Sequence, residues 1–268
     1  MKKHNFSAGP CILPPSVLQQ ASQALLNFDD LNLSLIEISH RSKNFVAVMD
    51  EAQNLAKELL NIPAGYSVLF LQGGASLQFV MAPFNLMKQE GGKAAYLNTG
   101  TWSTKAIKEA KRLGEVVEVA SSKDRNFSYI PKGYSIPSDA DFFHYTSNNT
   151  IFGTSVKATP QTNTLLVCDM SSDIFSREIN VADFDLIYAG AQKNMGPAGA
   201  TMVIVKDEIL GKSGRDIPAY LDYQIHIDKD SMFNTPPVFS VYVSMLTLRW
   251  LKEKGGVAAI AKENEAKA

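Results

Sequence analysis

The amino-acid sequence predicts an α/β fold in which a mainly parallel sheet is flanked by helices. Apolar runs of strand length alternate with amphipathic segments of helix length, as in strands joined by crossover helices. Glycine-rich or polar residues follow several of these runs, at the position where ligands gather in open α/β sheets. The 268 residues, of which 45% are hydrophobic, suffice for one large core.

Helical periodicity appears first in residues 14–27 and 45–60. In the second segment Val48, Ala52 and Leu55 recur on one face. Further helical patterns cover residues 77–88, 101–113 and 238–254. Strand-like runs occupy residues 67–72, 94–98, 116–119, 141–146, 164–169, 186–189 and 200–205. Arg112 and Arg249 fall on two of the helical patterns, so we expect each to be solvated or paired with an acid rather than to bind a ligand.

Lys193 is the most informative residue, because it follows the apolar run 186–189 within a glycine-rich turn. A lysine that is partly desolvated at a strand end loses its proton more readily and can attack a carbonyl to form a Schiff base. A lone loop lysine is more often simply solvated. The neighbouring strand ends therefore have to support the reactive interpretation.

Two other strand ends carry residues suited to the same site. Asp169 ends the run 164–169, where a carboxylate can pair with a pyridinium nitrogen or, equally, cap the following turn. Gly73 and Gly74 lie between the run 67–72 and a helical pattern that begins near Ala75, and backbone amides at such a helix start bind phosphate. Alone, this glycine pair is a weak signal, since most tight turns of this kind bind nothing.

Eight motifs extend this pattern over nearly the whole chain. They are Asn5-Phe-Ser-Ala-Gly-Pro10, Ile38-Ser-His-Arg-Ser42, Gly73-Gly-Ala-Ser76, Thr99-Gly-Thr-Trp102, Asn148-Asn-Thr-Ile151, Asp169-Met-Ser-Ser172, Ala191-Gln-Lys-Asn194 and Asn234-Thr-Pro-Pro237. In this order and spacing they resemble phosphoserine aminotransferase, a fold-type I enzyme that uses pyridoxal 5'-phosphate. The opening motif and Ser-His-Arg are specific to that family within the larger superfamily.

The resemblance implies how the cofactor is held. Lys193 would bind it as a Schiff base and relay protons, while Asp169 would pair with its pyridine nitrogen. Trp102 would lie against the ring, although most tryptophans are packing residues, and the Thr150 hydroxyl would reach the phenolic oxygen.

The resemblance also assigns the contacts to the cofactor's phosphate. The amides of Ala75 and Ser76 and the side chain of Gln192 would bind it from one subunit. Asn234 and Thr235 would reach it from a second subunit, which implies a homodimer with shared active sites. Ser76 stands where many relatives carry arginine, so its effect on phosphate binding stays open.

A phosphorylated substrate adds a second anion to be bound, and the resemblance places its contacts at His40 and Arg41. These residues follow one another in a polar break between two predicted helices. The implied reaction transfers an amino group from L-glutamate to 3-phosphohydroxypyruvate in serine biosynthesis. The related four-carbon substrate of the pyridoxine pathway is a second possibility.

The C-terminus departs from the family pattern. The last residues, after Gly255-Gly256, have helical propensity and stop without a glycine cap or a proline. We therefore expect residues 1–254 to form the cofactor-binding large domain and residues 255–268 to begin a truncated small domain. That domain supplies a further substrate-binding arginine in the family.

Composition excludes several other classes of function. A formal net charge of −1 offers no electrostatic footprint for nucleic acid or for an anionic membrane. The apolar runs are far shorter than a membrane span, and no apolar stretch follows the basic residues at the start, so we expect a cytoplasmic enzyme. The two cysteines and four histidines have no disulfide-framework or metal-ligand spacing, so no metal is expected.

Two alternatives remain at this stage. Another fold-type I enzyme, such as a cysteine desulfurase or an aminotransferase for an unphosphorylated substrate, would share Asp169 and Lys193 but would not need His40 and Arg41. A truncated chain could also serve only as a non-catalytic, cofactor-binding or dimerising scaffold.

Overall fold

A seven-stranded sheet with helices on both faces organises the computed structural model, which describes residues 3–267. The helices are α1 (Pro15–Leu26), α2 (Lys43–Leu59), α3 (Gly74–Leu86), α4 (Thr101–Ala110), α5 (Tyr223–Asp228), α6 (Val238–Glu253) and α7 (Gly256–Lys267). The strands are β1 (Tyr66–Leu71), β2 (Lys93–Asn98), β3 (Glu115–Ser121), β4 (Phe142–Thr146), β5 (Asn148–Asn149), β6 (Thr154–Ser155), β7 (Leu165–Asp169), β8 (Leu186–Gly190) and β9 (Thr201–Lys206).

The sheet has the strand order β1-β9-β8-β7-β4-β2-β3 and is mainly parallel, as the sequence predicts. Only β9 runs against its two neighbours, β8 and β1, while β5 and β6 form a separate short ribbon. The reversal follows from chain length, since the turn between β8 and β9 is too short for the crossover that a parallel pair needs. The carboxyl ends of β1, β2, β4, β7 and β8 therefore meet at one edge.

Two apolar layers cover the two faces of the sheet. Helices α1, α2 and α6 pack on one face, where Phe45, Met49 and Val241 are fully buried. Helices α3 and α4 cover the other face around Phe79 and Tyr188. Since both faces are buried, the central strands are continuous apolar runs, and this explains why their positions could be predicted to within about one residue.

The two helical arginines are paired with acids rather than free for a ligand. Arg249 lies on α6, as predicted, and forms an ion pair with Glu51 on α2. The prediction that Arg112 is helical is wrong, because α4 ends at Ala110 and the next residues form a turn. Arg112 still pairs with Glu109, its Nε lying 3.1 Å from the carboxylate. Both guanidinium groups therefore lie next to a carboxylate, as expected from the sequence.

The last helix packs on the body formed by the preceding residues. Val257 of α7 is buried in the larger core cluster, and the Asn264 side-chain amide donates to the Ser176 carbonyl at 3.0 Å. The division into domains at residues 254 and 255 stays a prediction. Within residues 3–267, no helix is both long enough and apolar enough to cross a lipid bilayer.

Candidate active site

Lys193 lies in the turn after β8 and is half-buried. Its amine donates a hydrogen bond to the Thr150 hydroxyl at 2.5 Å. Burial lowers the pKa of Lys193, and the attraction of Asp169 opposes this shift only in part. A larger fraction of the amine is therefore uncharged near neutral pH than in a solvated lysine, which is the state that attacks a carbonyl.

Asp169 ends β7 and is buried, with 3% of its surface exposed. Its Oδ1 accepts a hydrogen bond from the Ser171 amide at 2.9 Å, so the carboxyl group has a fixed orientation. Burial raises the pKa of Asp169, while Ser171 and Lys193 work against the rise. A buried carboxylate of this kind is stabilised by a cationic or protonated ring nitrogen.

A glycine turn joins β1 to α3 and leaves the helix start open. Gly73 has φ +88°, and a Cβ there would lie 2.5 Å from the Cβ of Leu77, so only glycine fits. No side chain within residues 3–267 caps the helix, and the amides of its first turn, including those of half-buried Ala75 and exposed Ser76, lack helical acceptors. Free amides at a helix N-terminus form an anion site.

Trp102 and Gln192 border this edge of the sheet. Trp102 lies in the first turn of α4 and is half-buried; its indole Nε1 is buried without a hydrogen-bond partner among the described residues. Lys105 Nζ lies 4.7 Å from the centre of the indole ring. The Gln192 side chain folds over Gly190, where an added Cβ would lie 2.6 Å from its Oε1.

Asn234 and Thr235 lie in the loop before α6, beside the glycine turn of their own chain. The Gln72 side-chain amide donates to the Thr235 carbonyl at 2.6 Å. Asn234 is half-buried and Thr235 is exposed. Their contribution to the site of a second subunit stays a prediction.

His40 and Arg41 occupy the turn between α1 and α2. Burial, followed by the charge of Arg41, lowers the pKa of His40, while Arg41 itself is exposed. Among residues 3–267, no hydrogen bond or ion pair joins either side chain to Lys193 or Asp169. A role of this pair in the site stays a prediction.

Sequence reasoning assigned no role to the two asparagines of the Asn148–Ile151 motif, which connect the strand-end loops. Asn148 Nδ2 donates to Ser172 Oγ at 2.9 Å, which ties the loop of Thr150 to the loop after Asp169. Asn149 is 1% exposed, and its Nδ2 donates to Thr99 Oγ1 and Thr154 Oγ1, both at 3.1 Å. Neighbouring side chains of an extended segment point in opposite directions. Two adjacent asparagines in such a segment could therefore have indicated hydrogen bonds to two different loops.

These donors and acceptors fit pyridoxal phosphate. The amine of Lys193 suits an aldehyde, the carboxylate of Asp169 a protonated ring nitrogen, and the uncapped amides of α3 a phosphate. The indole N–H of Trp102 is a further buried donor that has no acceptor among the described residues.

Comparisons with known proteins agree with this geometry. The model of the family described as aminotransferase class-V matches residues 3–268. A phosphoserine aminotransferase of Flavobacterium johnsoniae is 68% identical over 269 residues, which is 100% of this chain and 75% of that protein. One of Porphyromonas gingivalis is 60% identical, with 100% of this chain and 75% of that protein covered.

Solved structures show the same fold. A phosphoserine aminotransferase studied for radiation damage of its Schiff base has a TM-score of 0.95 at 49% identity, over 98% of this chain and 74% of its own. The enzyme of Trichomonas vaginalis, solved with pyridoxal phosphate bound, has a TM-score of 0.95 at 37% identity, over 100% of this chain and 76% of its own. The chain belongs to the phosphoserine aminotransferases of the class-V aminotransferase family.

Proposed function

We propose that this chain carries out pyridoxal phosphate-dependent transfer of the amino group of L-glutamate to 3-phosphohydroxypyruvate. The products are O-phospho-L-serine and 2-oxoglutarate, in serine biosynthesis. The observation that carries the proposal is the convergence of Lys193, Thr150 and Asp169 at adjoining strand ends. Its relatives' name, phosphoserine aminotransferase, supplies the substrate class and favours it over an unphosphorylated substrate.

Lys193 is assigned the proton transfers. The bound cofactor would supply an electron sink, which makes a carbon-bound proton of the substrate acidic. The amine of Lys193 would hold the cofactor covalently and, once released, would accept and return that proton. Its lowered pKa suits both tasks, because an uncharged amine is needed at the start of each.

Thr150 and Asp169 would fix the ring at two positions. The Thr150 hydroxyl lies beside the amine and would donate to the ring's phenolic oxygen. The Asp169 carboxylate, oriented by the Ser171 amide, would hold a proton on the ring nitrogen. Trp102 would cover one ring face with its indole.

The phosphate of the cofactor would bind at the start of α3. The amides of Ala75 and Ser76 are directed outward from an uncapped helix end, where the helix dipole favours an anion. Gln192, next to Lys193, would add a side-chain amide donor. With Ser76 exposed and uncharged, backbone amides rather than an arginine carry this contact in the present chain.

The remaining contacts would come from a second copy of the chain. His40 and Arg41 would bind the substrate's phosphate, and Asn234 and Thr235 would reach the partner's cofactor, in a homodimer with shared active sites. Exposed apolar side chains a few residues before His40 in the sequence support such an interface, since Leu33 is 48% and Ile36 is 63% exposed. The same site would accept the phosphorylated four-carbon 2-oxo acid that gives 4-phosphohydroxy-L-threonine.

Borohydride reduction of the cofactor-loaded protein, followed by peptide mapping, tests the central assignment. We expect the reduced cofactor on Lys193; its recovery on another residue, or on none, would contradict the proposal. A substrate panel tests the phosphate contacts, with half-reactions expected for phosphoserine and glutamate but not for serine or alanine. Equal rates for phosphoserine and serine would remove the role of His40 and Arg41.

A further inference from the structure

The loop that follows β7, residues 170–177, contains a strained residue. Phe175 has φ +61° and is buried, with 3% of its surface exposed. A bulky residue other than glycine rarely adopts a positive φ, and such strain persists only where the surrounding contacts hold it. Strained residues concentrate near functional sites, and this loop begins directly after Asp169.

The first residues of the loop bind the ends of β7 and β8. The Ser171 amide donates to Asp169 Oδ1 at 2.9 Å, and the Ser171 hydroxyl accepts a hydrogen bond from the Gly190 amide at 3.1 Å. Gly190 ends β8, in the segment that leads to Lys193. Ser171 therefore links the orientation of the carboxylate to the strand that carries the lysine.

Two further contacts join the loop to the other segments of the site. The Ser172 hydroxyl donates to the Asn148 carbonyl at 2.8 Å, in the segment that carries Thr150. The side-chain amide of Asn194, the residue after the lysine, donates to the Ile174 carbonyl at 2.9 Å. A displacement of the loop would therefore move the segments of the carboxylate, the hydroxyl and the amine together.

A buried ion pair holds the loop. Asp173 is 8% exposed; its Oδ1 accepts a hydrogen bond from the Ser147 hydroxyl, and its Oδ2 lies 3.0 Å from Nε of half-buried Arg177. The Ser147 amide in turn donates to the backbone carbonyl of Asp169 at 3.0 Å. Because Asp173 and Arg177 lie on either side of Phe175 in the sequence, their pairing keeps the strained turn closed.

Asp173 also lies within electrostatic range of the site. Burial raises the pKa of Asp169 and lowers that of Lys193, and the charge of Asp173, a smaller cause in each case, raises both pKa values. The two carboxylates therefore repel each other. The guanidinium of Arg177 offsets the charge of one of them, which a buried carboxylate requires.

We propose that Asp173 and Arg177 are positioning residues, whose ion pair holds the loop after β7 in place. Through this loop they fix the mutual orientation of Asp169, Thr150 and Lys193. The inference deepens the proposed function and rests on it for the chemistry of these three residues. It adds a support for the site that lies outside the set of residues assigned to the cofactor and the substrate.

The substitution Asp173→Ala removes both contacts of the carboxylate. We expect kcat for glutamate and 3-phosphohydroxypyruvate to fall roughly 10- to 100-fold, since misplacement of reacting groups by about 1 Å has effects of this size. KM for both substrates should stay within about twofold, because Asp173 is assigned no substrate contact. Steady-state kinetics of the cofactor-loaded enzyme separates the two effects.

A second measurement reads the loop without the reaction. Hydrogen exchange of the full chain freed of cofactor, followed by peptide mapping, reports the protection of backbone amides. In Asp173→Ala we expect loss of protection at the amides of Ser147, Ser171 and Gly190, whose hydrogen bonds depend on the loop. The amides of β1 and α2 should keep their protection.

Arg177 provides a second pair of variants. Arg177→Met removes the same ion pair from a half-buried position, where a substitution is better tolerated than at a buried one, so it keeps the test open if Asp173→Ala does not fold. It should reproduce both the fall in kcat and the local loss of protection. Arg177→Lys keeps a cation and should recover most of each, because one N–H···O contact joins the pair.

Asp139→Ala is the matched control, since Asp139 also forms an ion pair, 2.7 Å from Nζ of Lys93, but at an exposed position. It should leave kcat and the exchange at the site unchanged. Site amides that stay protected in both Asp173→Ala and Arg177→Met would overturn the proposal, as would exchange that rises equally throughout the chain. A wild type that does not react with glutamate would instead contradict the proposed function, and the exchange result would still stand, so the two failures are distinguishable.

Discussion

The amine of Lys193 and the hydroxyl of Thr150 are 2.5 Å apart, although they belong to different strand-end loops. Lys193 follows β8 and Thr150 follows β5. Strand β7, which ends at Asp169, lies between β4 and β8 in the sheet. This hydrogen bond gives the amine a direction that its own flexible stem cannot provide.

Thr150→Val removes that bond while it preserves shape. We expect kcat to fall by up to about tenfold, because a hydrogen bond between neutral groups contributes about 0.5–1.5 kcal/mol and the lost direction affects the proton-transfer step. Thr150→Ser, which retains the hydroxyl, should recover most of the rate. Steady-state kinetics with an equal kcat for wild type and Thr150→Val would contradict the role of this contact.

Asp169→Asn should stabilise the cofactor-free protein at neutral pH. Burial raises the pKa of Asp169 in the folded state. Its contribution to the free energy of unfolding is therefore fully present below the ordinary carboxyl pKa and is lost as the pH rises through the raised pKa. Asparagine does not ionise, so the variant keeps this stability at neutral pH. Its urea midpoint should exceed that of the wild type there, and the difference should shrink as the solution is acidified.

The same substitution should impair the reaction. We expect kcat to fall roughly 10²- to 10³-fold, the range for loss of a preorganised electrostatic contact. Asp50→Asn, at an exposed position of α2, is the control and should change neither stability nor kcat. A lower midpoint for Asp169→Asn at neutral pH would show that the folded state does not disfavour this charge.

Asn149→Ala should loosen the loops of Trp102 and Thr150 together. The substitution leaves the hydroxyls of buried Thr99 and half-buried Thr154 without their amide donor, at a cost of about 1–3 kcal/mol in unfolding free energy. Urea unfolding measures this loss, and Asn163→Ala, at an exposed position, should not show it. An unchanged midpoint for Asn149→Ala would mean that the network rearranges without loss.

Gly73→Ala should weaken cofactor binding. Alanine at φ +88° is strained, and its Cβ would collide with Leu77 in the first turn of α3, so the start of the helix must move. We expect a clear increase in the Kd for pyridoxal phosphate, measured by titration of the cofactor-free protein. Gly65→Ala, at φ +84° with open space, is the control; an equal effect of the two substitutions would point to backbone strain alone.

The sequence predicted the strands well for a physical reason. Strands buried on both faces must be apolar throughout, and the residues at their carboxyl ends are then the first polar ones, as at Asp169. The helix bounds were predicted less well than the strand bounds. Helix α3 begins at Gly74, a residue that indicated only a turn, and α4 ends before Arg112.

Contacts between loops were beyond sequence reasoning. Gly9 touches Lys193 and Asn149 binds Thr99 only because the sheet brings distant segments to one edge. Nothing in the local composition of either residue specifies its partner. The turn of half-buried His40 and exposed Arg41 shows the same limit, because the local sequence does not specify which residues this pair contacts.

The position of β9 bears on how the newly made chain acquires its fold. Among the strands in residues 3–267, β1 pairs with β9 alone, so Tyr66–Leu71 has no neighbouring strand until Thr201–Lys206 has left the ribosome. During that interval both edges of an apolar strand are open to pairing with other chains. We expect β1 to need shielding by chaperones until β9 is available to pair with it.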